Sequence, residues 1–100
     1  MKTYLNVMDA EHPNTCEDVF RSWVISMGST VDLILYAKEN NSNTIYAFHD
    51  ELMTLGRFAY CAGLIKRDIS NRIIDLACDG NYKAIKKMMN NFYNLCSSFN

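Results

Sequence analysis

The sequence predicts a mainly α-helical single domain, residues 1–100, with an irregular N-terminal arm over 1–14 and about four helices over 15–100. Three observations carry this. Apolar residues recur at steps of three and four in four separate stretches. The connections between those stretches are short and rich in Asn and Gly. The chain has 100 residues, 49% of them hydrophobic, with a net charge of -1 and only one proline, the composition of a folded globular unit. A chain of this length buries roughly two-thirds of its unfolded surface, enough for one core.

The arm comes first. Thr3-Tyr4-Leu5-Asn6-Val7-Met8 alternates like a short strand, and the polar stretch behind it carries Pro13, which holds its predecessor away from helical geometry. Thr15-Cys16-Glu17-Asp18 then reads as a capping box, with acids placed against the helix dipole. From there Phe20, Trp23, Val24, Met27, Val31, Ile34 and Leu35 stay on one face through Gly28-Ser29-Thr30, which favours one long helix over 15–39. The competing reading is a break at Gly28 followed by a strand over 30–36, where β-formers are dense.

Asn40-Asn41-Ser42-Asn43 is a polar loop able to cap the next helix, expected over 44–62. Its apolar positions Ile45, Phe48, Leu52, Leu55, Ala59 and Ala62 make a near-heptad seam, and Gly63 supplies the stop. Gly56, Ala59 and Gly63 make part of this helix small, so that a neighbouring backbone can come close. Ile65, Ile69, Ile73, Leu76 and Ala77 form a third stripe, 66–79, ending at Asp79-Gly80. Asn81 caps a fourth helix, 81–97, whose stripe is Ile85, Met88, Met89, Phe92, Leu95, Cys96 and Phe99. The expected core is Trp23, Ile34, Leu52, Leu55, Ile73, Ile85 and Phe92.

Several function classes fail on chemistry. The apolar run over 31–37 is interrupted by Asp32 and is far shorter than the ~20 residues of a membrane span. The first residues lack the apolar stretch of a signal peptide, so the expected location is the cytosol. Cys16, Cys61, Cys78 and Cys96 are then expected as free thiols packed as small hydrophobes. Their closest spacing is 17 residues, unlike the close pairs of structural zinc sites, and no metal or cofactor is expected. No phosphate loop, nucleophile elbow, zinc helix or calcium loop is present. His49-Asp50-Glu51 joins an imidazole to two carboxylates, but successive helical residues point about 100° apart, so the triplet reads as a solvated face.

Charge is distributed unevenly. Residues 1–56 hold three Lys/Arg against eight Asp/Glu, whereas 57–100 hold seven against three. Lys66, Arg67, Arg72, Lys83, Lys86 and Lys87, with Tyr82 and Tyr93, suit phosphates or an acidic protein surface; the competing account is complementarity between the two halves of the chain, or a solvated face. A pI near 6.0 argues against a dedicated nucleic-acid binder. Twelve aromatics and six methionines add residue types favoured at protein interfaces, among them Tyr36, Tyr46 and Tyr60.

The size, the eleven asparagines and the segment Leu55-Gly56-Arg57-Phe58-Ala59-Tyr60-Cys61-Ala62-Gly63-Leu64-Ile65 resemble the small early proteins of enterobacterial phages, and among these the small anti-RecBCD proteins of lambdoid phages. The likeness runs over the whole chain and rests on no single motif. It implies a non-enzymatic phage protein in the host bacterial cytosol that binds and inhibits or modulates a helicase–nuclease. It further implies that Glu11-His12-Pro13-Asn14 offers a docking point, at Pro13, for a partner such as a prolyl isomerase. Ranked behind this reading, which takes in anti-CRISPR and toxin-immunity proteins, are a small nucleic-acid-binding regulator and an enzyme with an unrecognised site. The residues expected at the partner surface are Pro13, Lys66, Arg67, Arg72, Tyr82, Lys83, Lys86 and Lys87.

Overall fold

The computed structural model describes the backbone of residues 13–97 and the side chains of 18–96. Four helices account for most of it: α1 (Pro13–Glu39), α2 (Ile45–Cys61), α3 (Arg67–Cys78) and α4 (Tyr82–Ser97). No strand occurs among the described residues. The mainly helical expectation therefore holds, with helix ends within two residues of those expected. The arm falls, as far as residue 12, outside the described residues.

The first helix begins at Pro13, so Thr15 lies inside its first turn rather than capping it. Proline suits this place: it has no N–H to lose where helical N–H groups are unpaired anyway, and its φ is already helical. The strand alternative over 30–36 is overturned, because α1 continues unbroken to Glu39. Its apolar phase is the physical reason: Phe20, Met27, Val31 and Ile34 all reach the core with no measurable exposure. Thr30, buried in this stretch, donates its hydroxyl to the Ser26 carbonyl at 2.8 Å, which satisfies it without breaking the helix.

Helices α1, α2 and α3 end in the same way. Ser42 N–H donates to Ala37 O and Asn41 N–H to Lys38 O; Leu64 and Gly63 donate to Ala59 and Tyr60; Asn81 and Gly80 donate to Leu76 and Ala77. These are paired closing bonds of the Schellman type, which need one left-handed residue each. Asn41 (φ 52°), Gly63 (φ 76°) and Gly80 (φ 74°) supply it. Asn81 then accepts from Ala84 N–H at 3.3 Å and caps α4.

Connections of three to five residues force sequential helices to run antiparallel. Each helix packs on its two neighbours around a ring, α1 on α2 and α4, α3 on α2 and α4, and among the described residues the diagonal pairs do not pack together. The result is an up-down-up-down four-helix bundle. Phe20 lies between the Trp23 and Phe92 rings, with centroids 5.7 and 5.8 Å away. Around it are Leu52, Ile73, Ile85, Met89 and Cys96, each worth roughly 1.5–3 kcal/mol of burial for the larger apolar side chains. Trp23 also donates its indole N–H to Leu55 O at 2.8 Å, tying α1 to α2. Of the expected core, Trp23, Ile34, Leu52, Ile73, Ile85 and Phe92 are buried, while Leu55 is half-buried at the rim.

Candidate partner-binding surface

The basic residues are carried by the second half of the bundle, on α3 and α4 and the junctions that lead into them. Lys66 is the N-cap residue of α3 and caps nothing with its side chain. A cation there stands against the positive end of the helix dipole, where Ser, Asp or Asn would add stability. Arg67 follows it and reaches back to α2: its Nε and an Nη both donate to the Tyr60 hydroxyl, at 3.2 and 3.1 Å, with the guanidinium 5.8 Å from the ring centroid. Two exposed cations and a helix N-terminus thus converge at this end of α3.

Arg72 is exposed midway along α3 and lines a shallow groove with Asp68, Asp75 and Asp79. Across 66–79 the three cations are matched by three acids, so α3 adds no net positive charge. The excess lies on α4, which has Lys83, Lys86 and Lys87 and no acidic residue. Lys83 and Lys87 are exposed, one turn apart, on the side of α4 away from the core. Lys86 points instead to α1, where its Nζ pairs with Asp32 at 2.8 Å and lies 3.4 Å from Gly28 O. Among the described residues, the complementarity between the acidic and basic halves is realised at this one ion pair, and it removes Lys86 from the open face.

Two gatherings of cations result. Because α3 and α4 are antiparallel, Lys66 and Arg67 lie about 18 Å, the length of α3, from the turn that starts α4. Lys83 and Lys87 stand beside that turn. Pro13 opens α1, and its side chain lies outside the described residues.

Tyr82 is a core residue, 7% exposed. Its hydroxyl lies 2.8 Å from His49 Nδ1, the two rings meet edge to face, and Lys38 sits 5.7 Å above the Tyr82 ring. Burial, then the neighbouring Cys78, raises the Tyr82 phenol above its ordinary pKa. The direction of this hydrogen bond follows the tautomer of the imidazole. These side chains, with Ile45, Tyr46 and Cys78, line an open groove of about 450 Å³ where the ends of α2, α3 and α4 meet. Asp50 and Glu51 are solvated, as expected of the His49-Asp50-Glu51 triplet, but His49 turns inward. Nothing local signals this link, since its partners are 33 residues apart.

Cys61, Cys78 and Cys96 are thiols, not disulfides. Cys96 packs in the core as expected, whereas Cys61 and Cys78 are exposed, because each ends its helix where the apolar stripe runs off the bundle. The side chain of Cys16 lies outside the described residues. Among the described residues no cluster of His, Cys, Asp and Glu is arranged to hold a metal ion, and no helix is long and apolar enough to cross a membrane.

No protein-family model matches this chain, and no curated protein or solved structure matches it.

Proposed function

We propose that this is a phage-type binding protein that inhibits or redirects a host DNA-processing nuclease of the RecBCD kind through protein–protein contact, without a substrate of its own. The observation that carries the reading is the uncompensated cationic face of α4, Lys83 and Lys87, with Lys66 and Arg67 at the far end of α3. Lys66 occupies a position where helix stability alone favours a different residue, and such local exceptions concentrate at working surfaces. The rigid bundle holds these cations at fixed spacing, so an acidic protein surface is engaged with little loss of backbone freedom. The resemblance to small anti-RecBCD proteins supplies the target class.

The test is stoichiometric. Purified protein is titrated into exonuclease assays on linear duplex DNA. A binding inhibitor saturates near one equivalent when affinity is high, whereas progressive loss of target activity at about a hundredth of an equivalent refutes the non-enzymatic reading. Replacing Lys83 and Lys87 with Gln, leaving Lys86 to its structural pair, should weaken inhibition more at low salt than at high, because exposed charges act within about 10 Å at 0.1 M salt. Salt-sensitive binding of the isolated protein to naked DNA would favour the nucleic-acid reading instead. No effect on RecBCD would remove that target.

A further inference from the structure

The groove where the ends of α2, α3 and α4 meet gathers chemistry that the cationic surface does not use. Its volume of about 450 Å³ is that of a small-molecule site. Ile45, Tyr46 and Ala77 give it apolar walls, and His49, Cys78 and Tyr82 bring an imidazole, a thiol and a phenol to them. Walls that are mostly apolar, with a few polar groups among them, suit a small ring and fix its orientation. One side is low, because Gly80 takes the left-handed φ of 74° that closes α3 and a Cβ built there would meet nothing within 4 Å.

Cys78 is the nucleophile of this group. It is exposed, and after burial it is the cause that raises the Tyr82 phenol, so its sulfur lies within electrostatic reach of that hydroxyl. Tyr82 is 7% exposed and 2.8 Å from His49 Nδ1, so phenol and imidazole form a fixed wall rather than two free side chains. Cys61 supplies a comparison within the same molecule. It is also exposed and also the last residue of its helix. Both thiols therefore stand at the negative end of a helix dipole, which disfavours the thiolate in each. Cys61 is not part of this groove, since it lies at the far end of α2, about 24 Å of helix from Ile45.

We propose that Cys78 is a covalent modification site, at which the thiol forms a mixed disulfide with a small aromatic thiol whose ring lies in the groove between Ile45, Tyr46 and Ala77. The co-reactant is the corresponding disulfide. The Cys78 thiolate attacks one of its sulfurs, the new S–S bond forms as the old one breaks, and the other half departs as a thiolate that takes up the proton Cys78 released. One disulfide is exchanged for another, so no further oxidant is needed, and excess thiol reverses the adduct. Contact with the Tyr46 ring and burial against Ile45 and Ala77 hold the ring while the sulfurs react, an advantage of roughly tenfold over a disulfide without a ring. The inference is independent of the nuclease reading, since its test reads the thiols alone.

The full chain is treated under native conditions with dithiodipyridine, an aromatic disulfide, and separately with hydroxyethyl disulfide, which has no ring. Peptide mapping by mass spectrometry assigns each adduct to its cysteine. The rate at Cys78 relative to Cys61 should be roughly tenfold higher with the aromatic reagent than with the aliphatic one, which cancels any intrinsic difference between the two thiols. Tyr46→Ser, at a side chain 73% exposed, should cut that selectivity by about threefold or more and leave the Cys61 rates unchanged. Buried Cys96 should stay unmodified while Cys78 reacts. Equal selectivity with the two reagents would overturn the proposal, as would a selectivity that Tyr46→Ser leaves in place. Modification of Cys96 at the rate of Cys78 would overturn it too, because the reaction would then run through the opened chain.

Discussion

Gly56 lies inside α2 and Gly63 just past its C-terminal end, and replacing each with alanine should move stability in opposite directions. Gly56 is buried inside the helix, facing α3. A methyl group built there meets Ile73 Cγ2 at 3.5 Å, an ordinary van der Waals contact. Nothing in the packing then opposes the gain in helix propensity, about 1 kcal/mol for Gly to Ala in a helix interior. Gly63 meets nothing within 4 Å, yet its φ of 76° is left-handed, and the Cβ of alanine there costs about 1 kcal/mol. For a domain of this size each kcal/mol moves Tm by about 4–8 °C, so the two variants should separate by about 8–16 °C around the parent. Urea titration followed by circular dichroism at 222 nm gives the same comparison in free energy. A Gly56→Ala variant less stable than the parent would refute the reasoning, because it would mean that α2 and α3 approach more closely than the Ile73 contact shows.

Trp23→Phe removes the bond to Leu55 O and leaves a void at the α1–α2 contact; a loss of about 2–3 kcal/mol is expected in urea titration, and a loss under about 1 kcal/mol would show that the indole bond and its packing matter little. The Tyr82 phenol, raised by burial and by Cys78, contributes stability that is present below about pH 10 and is lost as pH rises through its folded pKa. Absorbance near 295 nm should show a tyrosine ionising above the ordinary phenol range, and Tyr82→Phe should abolish that step and flatten the alkaline fall in stability. Lys66→Asp gives α3 the cap it lacks and should add about 1 kcal/mol to stability while weakening target binding at low salt. Unchanged binding would remove Lys66 from the proposed surface.

What is visible in the chain itself follows from the range of the forces involved. The cationic residues are recognisable one by one, but their grouping is not. Asp32 lies 54 residues from Lys86, and only the antiparallel placement of α1 and α4 joins them. Tyr82 carries the mark of an interface residue by type, and its burial depends on His49 and Lys38 arriving from two other helices. The cysteines divide for a similar reason, since exposure at Cys61 and Cys78 is set by where the neighbouring helices stop.

The four helices and their ends are properties of the sequence itself. Apolar spacing, the left-handed residues Asn41, Gly63 and Gly80, and the cap at Asn81 act within a turn or two, so a local reading suffices for them. The continuity of α1 through Gly28 belongs partly here, because its apolar phase is unbroken, and partly to the core that buries that face. The tertiary structure alone decided which charges are spent inside the molecule, that His49 turns inward and that the outer face of α1 stays bare. Each of these depends on contacts between helices distant in sequence, and on the ring closing so that α1 packs on α2 and α4 with its third side left to solvent.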